Sequence, residues 1–257
     1  VVAIDGLPGG TNAVVDLAGP GGFSRRLSGS VTIEDLPPGV YSATVRAAGA
    51  GSLAYGTNQA VRYADLVAGE TAQLPVTYSA FNLQVDNFYI TQSIQRFDRS
   101  IPLVAGRDGL LRVFARANIL NEVQAAVRAR IYLDGTLAKT IDIPAPTFAA
   151  PTAVNEGSIG TSWNVTIGAE LIQRGMEVQT EVDPARQLAE GDETDNRYPT
   201  DGGRTAVTVR EVPPLDLVLV PVQQPNGTTG NVTEANKDRY VEDLLRMFPV
   251  AESGVTG

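Results

Sequence analysis

Short apolar runs and turn-forming clusters alternate along most of this chain, which predicts strands rather than helices. In the first block the runs are Val1–Ile4, Ala13–Leu17, Ser30–Ile33, Val40–Val45, Ala60–Leu66 and Thr71–Tyr78. Pro8-Gly9-Gly10, Gly19-Pro20-Gly21-Gly22, Leu36-Pro37-Pro38-Gly39 and Ala68-Gly69-Glu70 separate them as turns. The second block continues with Leu83, Val85 and Ile90, then Ile101–Val104, Leu110–Ala117, Val127–Leu133, Leu137–Ile143, Ser162–Ile167, Glu177–Val182 and Thr205–Glu211. In Val127–Leu133 the apolar residues take every second position, the mark of a strand with one wet face. Pro144–Gly157 reads as a long surface loop. After Pro213-Pro214 the rhythm changes. Leu215–Val220 predicts a strand buried on both faces. Thr233 is placed as an N-cap, and Tyr240, Val241, Leu244, Leu245 and Phe248 recur at helical spacing before Pro249. The expected class is mainly β: two tandem antiparallel β-sandwiches, residues 1–79 and 80–212, then a β-α segment, 213–257, that opens a truncated α/β domain.

Composition narrows the chemistry more than the fold. The 257 residues include no histidine and no cysteine. That excludes a Ser-His-Asp triad, an imidazole base, a thiolate nucleophile, a disulfide and a His- or Cys-ligated zinc within this chain. The net charge of −9 disfavours nucleic acid and anionic membrane surfaces as partners. No apolar run reaches the roughly 20 residues of a membrane span. The opening Val1-Val2-Ala3-Ile4-Asp5 reads as a strand already under way, as in a trimmed or mature fragment. Asn164, Asn226 and Asn231 begin Asn-x-Thr sequons, relevant only to a eukaryotic secretory route.

Few residues cluster as candidate sites. Glu190, Asp192, Glu193 and Asp195, with Asn196, form the densest polar group and are candidate oxygen ligands for calcium. Their spacing is not that of an EF-hand, and the plainer reading is a solvated hairpin tip. A glycosidase pair would need a second carboxylate about 5–10 Å away across a substrate, which nothing here places. Arg107, Asp108, Arg112 and Arg116 offer an anion-binding strip, or more plainly a solvent-facing side with an Arg107–Asp108 turn pair. Trp163 is a core anchor or a ligand platform. Gly19–Gly22 lacks the lysine and the helix of a phosphate loop.

Several stretches carry resemblances. "IDGLPGG…VVDLAGPGGFSRRL…IEDLPPGVYSATV…VAGETAQLPVTY" resembles the prealbumin-like or carboxypeptidase-regulatory-like modules of bacterial secreted proteins. "VDPARQLAEGDETDNRYP" resembles the acidic hairpin of CARDB-type, Ig-like adhesion modules; there Asp183-Pro184 starts a turn, Leu188 plugs the core and Asn196 bonds its own backbone. Ile90 to Glu252, with Gly106-Arg107-Asp108 and Phe248-Pro249-Val250, is similar to the region ahead of the catalytic domain in M66-like secreted bacterial zinc metallopeptidases. That family's His-Glu-x-x-His helix has no counterpart here, so no catalytic residue is carried over. These resemblances imply a non-catalytic, secreted or cell-surface bacterial segment that spaces a downstream domain of the same polypeptide and engages a protein or glycan surface. The alternatives are an adhesion module with no enzyme attached and a calcium-stiffened spacer. No cofactor other than calcium is expected.

Overall fold

The computed structural model describes residues 1–251 and 255–256, with side chains for residues 1–242 and 248–251. Its strands bury two separate apolar clusters, one from Val2 to Tyr78 and the other from Phe81 to Val182.

In the first sandwich β1 (Val2–Asp5), β2 (Val15–Ala18), β3 (Ser24–Leu27), β4 (Gly39–Val45), β5 (Ala48–Ala50), β6 (Leu53–Gly56), β7 (Val61–Leu66), β8 (Leu74–Thr77) and β9 (Ser79–Ala80) follow in order. One antiparallel sheet runs β3-β2-β4-β7; facing it are the pair β1-β8 and the ribbon β5-β6-β9. Alternation sets the inner face: Tyr41, Ala43 and Val45 of β4 point inward with Val15 and Leu17 of β2 and Leu74 and Val76 of β8. Three features differ from the sequence expectation. β1 pairs with β8 in parallel, closing the sandwich edge-on. Ser30–Ile33 makes one bridge, Val31 to Val2, and no strand. Polar β3 and glycine-rich β5 form strands without an apolar run, because backbone pairing to a neighbour suffices.

Tyr78 closes this core. Its hydroxyl, with one proton shared between the carbonyls of Val14 (3.2 Å) and Arg46 (3.1 Å), accepts from the Val14 N–H (3.1 Å). Burial pushes its phenol pKa up. Gly6, at φ +81°, lies against the Tyr78 carbonyl where a Cβ would sit 1.9 Å away, so no other residue fits there.

The second sandwich contains β10 (Leu83–Thr91), β11 (Leu103–Val104), β12 (Gly109–Ala117), β13 (Val127–Leu133), β14 (Thr136–Ile143), β15 (Trp163–Ile167), β16 (Met176–Val182), β17 (Arg197–Tyr198), β18 (Thr205–Ala206) and β19 (Val209–Arg210). Sheet β10-β12-β15 packs over sheet β14-β13-β16-β17, with β18 on the far part of β16. Both are antiparallel, and the two-residue pair β11-β19 is parallel. Trp163 is a core residue, 2% exposed, whose indole donates to the Ala125 carbonyl at 2.8 Å. Phe148 and Ala150 fold the 144–157 loop back against this sandwich.

The last segment is a parallel β-α-β unit: β20 (Leu215–Asp216), helix α1 (Lys237–Met247) and β21 (Val255–Thr256). Two expectations are corrected. The Leu215–Val220 strand covers only two residues, and Val218 and Val220 are 85% and 68% exposed; a parallel strand buries both faces only between two covering layers. Thr233 does not cap the helix. Its N–H donates to Asn236 Oδ1 in a turn one step earlier, and the helix starts at Lys237. The side chains of Leu244 and Leu245, and Glu252, lie outside the described residues. Among those described, no helix is long and apolar enough to cross a membrane.

Tyr78→Phe removes the acceptor of the Val14 amide and the donor to two carbonyls. It should lower unfolding stability by about 1–3 kcal/mol, read by urea denaturation followed by circular dichroism.

Candidate functional site

The segment Ser79–Leu83 passes from one sandwich to the other, and the backbone polar groups of its buried and half-buried residues, Ala80 to Leu83, need partners. Ser79 and Ala80 pair with Gly56 and Tyr55, and the Phe81 N–H donates to the Ala54 carbonyl. The next partners come from the acidic hairpin. Glu190 Oε2 accepts the Leu83 N–H at 2.5 Å, the Gly191 N–H donates to the Phe81 carbonyl at 2.8 Å, and the Asp192 N–H donates to Asn82 Oδ1 at 2.7 Å. Asn82 Nδ2 donates to the Asp195 carboxylate at 3.0 and 3.2 Å. Asn118 completes the set: its Oδ1 accepts the Asn82 N–H and its Nδ2 donates to the Ala80 carbonyl. Beside it the Leu120 N–H reaches the Thr57 carbonyl, and Ile119 packs on Gly56, where a Cβ would come within 3.1 Å.

The hairpin is therefore a clamp rather than a solvated tip. Asp183, at φ +43°, shapes its start: its carboxylate accepts the N–H groups of Gln187 and Leu188, and Leu188 packs against the second core. Asn196 does not bond its own backbone. Its Nδ2 donates to Glu190 Oε1 at 3.1 Å, and its Oδ1 is buried with no protein partner. The four expected calcium ligands face different ways. Glu190 points inward to Leu83 and Asn196, Asp195 to Asn82, and Asp192 to Thr194; Glu193 lies 4.0 Å from Arg186. Among the described residues no group of three or more carboxylates converges as a metal-holding set.

Burial dominates the electrostatics of the clamp. It pushes the Glu190 pKa up to about 7, and the Glu193 and Asp183 charges add to the rise against the bonds from Leu83 and Asn196. Burial also raises Asp195, which Asn82 opposes. The Thr194 hydroxyl and N–H hold exposed Asp192 below the usual range.

The arginine strip is also corrected. Arg112 and Arg116 do lie on the face opposite Leu111, Val113 and Ala115, yet loops 92–102 and 154–162 cover that face. Arg112 is 8% exposed. It donates to the Tyr89 and Ser162 hydroxyls and the Glu156 and Ser158 carbonyls, over the Tyr89 and Phe114 rings. Its bonds are spent fastening the 154–162 loop, which leaves no open anion strip. Arg116 pairs with Asp86 at 2.6 Å. Arg107 and Asp108 are not a turn pair: Asp108 accepts the Ala169 N–H, and Arg107 donates to the Phe248 carbonyl at 2.6 Å. That bond joins two motifs 141 positions apart and seats the third segment on the second sandwich.

Sequence reading missed Asn82, Asn118, Arg99 and Glu181. Arg99 stacks on Phe88 and Tyr198 and reaches Asn87; Glu181 sits between Arg130 and Arg197 at 2.8 and 2.9 Å. The one available signal was Asn82, a polar residue at the boundary between two apolar blocks.

No family model and no curated protein matches the chain. Among solved structures it is similar to a CARDB domain from Pyrococcus furiosus in complex with di-metal ions, at 17% identity and a TM-score of 0.32, over 50% of this chain and 93% of that one. It is also similar to a DUF3823 family protein from Bacteroides ovatus, at 13% identity and a TM-score of 0.24, over 70% and 88%. At these scores neither likeness bears on function, and the sandwich description rests on the strand pairing itself.

Because the folded-state pKa of Glu190 is raised, its favourable contribution is complete below about pH 4.5 and is lost as pH rises through about 7. The protein should lose about 1–2 kcal/mol of stability between pH 5 and 8, and Glu190→Gln should abolish this slope. Urea midpoints across that range measure it.

Proposed function

We propose that this chain is a non-catalytic spacer in a larger secreted or cell-surface bacterial protein: two β-sandwiches locked in line by the acidic hairpin, bearing the β-α-β segment at their far end. The observation that carries the reading is the clamp, in which Glu190, Asp195, Asn82 and Asn118 bond the crossing segment to the acidic hairpin. Arg107 acts alike at the second junction. The partly exposed β-α-β segment suits the start of a downstream domain, and the M66-like resemblance favours a metallopeptidase as that domain. Zinc chemistry does not belong to the residues present: they include no histidine or cysteine, and no step is assigned to them. Engagement of a protein or glycan surface remains a separate part of the proposal, to be tested by binding screens on the whole segment.

The natural absence of cysteine makes the test clean. Cysteines placed at exposed Arg25 and Lys139 carry spin labels on the two sandwiches. The parent should give one narrow distance distribution. Asn82→Asp, which sets a new carboxylate against Asp195, should broaden it severalfold; a broad distribution in the parent would refute the locked spacer. Melting in calcium and in chelator separates the clamp from the calcium-stiffened alternative. The clamp expects the same midpoint in both, whereas a calcium site would raise it by mass action.

A further inference from the structure

A cavity of about 420 Å³ opens between the two layers of the first sandwich, away from the clamp. Leu17 of β2, Tyr41 of β4 and Leu74 of β8 form its floor and belong to the buried core. Ile33, Leu36 and Leu66 form its sides and stay half-exposed, so apolar surface faces the opening. The Tyr41 ring cannot swing in to fill the space: its hydroxyl is tied to the Pro37 carbonyl at 2.8 Å, and Phe23 packs edge-on at 5.8 Å. Pro37 and Pro38 stiffen the loop behind it. The volume is that of a small-molecule site.

The mouth is mainly negative. Glu34, Asp35 and Glu70 line it with no lysine or arginine, against one positive group, the Val1 ammonium, which is held on the Ala72 carbonyl at 2.7 Å. All three carboxylates are exposed, so a cation held among them keeps part of its water while its apolar body enters the cavity. An anion of the same shape meets three like charges.

We propose that this cavity is a binding site for a small organic cation, an apolar body of about one aromatic ring bearing a single ammonium. The ring seats on Leu17, Tyr41 and Leu74, and the ammonium lies among Glu34, Asp35 and Glu70. This function goes beyond the spacer role and does not depend on it.

The probes are phenethylammonium and hydrocinnamate, which share a ring and a two-carbon arm but differ in charge. The readout is methyl NMR of the full chain at Ile33, Leu36 and Leu66. Phenethylammonium should shift these signals in a saturable way, and hydrocinnamate should bind at least about tenfold more weakly. The triple variant Glu34→Gln/Asp35→Asn/Glu70→Gln, made wholly on exposed positions, should weaken the ammonium about tenfold and erase the difference between the probes. Ala64→Trp, which fills the cavity wall, should abolish both shifts. Equal affinity of the two probes for the parent chain, or no shift with about 10 mM phenethylammonium, would overturn the proposal.

Discussion

The arrangement of this molecule depends on how a short crossing segment satisfies its backbone. Residues 79–83 leave one sandwich and enter the next with Phe81 and Leu83 buried and Ala80 and Asn82 half-buried, so most of their backbone groups depend on protein partners. A hairpin more than 100 positions later supplies the missing partners; the bonds from Asn82 and Leu83 span 107, 110 and 113 residues. Leaving the buried Leu83 amide unpaired costs about 1–3 kcal/mol, so the Glu190 bond is the member of the clamp that matters most. These bonds tie the two separate cores together at the crossing segment.

Charge serves the same end elsewhere. Arginine fastens several other loops and strand edges, because its planar fork reaches several acceptors at once. Arg112 gathers two hydroxyls and two carbonyls, Arg130 and Arg197 share Glu181, and Arg26 and Arg46 share Asp16, whose pKa falls to about 2 through bonds to Arg26 first and Arg46 second. The Asp16 group lies on the surface and contributes little. Arg112 is buried, and its full set of partners matters more than its charge.

The strand skeleton was legible because it is written in a local code. Val127–Leu133 alternates apolar and polar residues and forms a strand over those same residues, paired on both sides. Leu110–Ala117 and Glu177–Val182 were placed to within one residue for the same reason. Strands held by pairing alone were not legible: Ser24–Leu27 shows solvent three polar side chains and one buried leucine, and nothing in its pattern distinguishes it from a loop. The β20 misreading has the opposite cause. Leu215–Val220 has the pattern of a two-faced strand, but pattern records what a segment can bury and not which layers are present to cover it.

The acidic hairpin shows where that limit falls for function. Five acidic or amide residues in a row of seven invite a reading as solvent-facing charge or as ligands for a hard cation, since local sequence carries charge but not burial. Burial here is set by Asn82, Leu83 and Asn118, at the ends of distant strands, and it reverses the meaning of the motif. Glu190 becomes an acceptor for a backbone amide with its pKa near neutrality, Asp195 an acceptor for an asparagine, and only Asp192 keeps the exposed role its sequence implies. A carboxylate gains that structural role when a buried N–H has no other acceptor within reach. The Leu83 amide, at the first residue of a strand where the chain enters a new core, is such a donor.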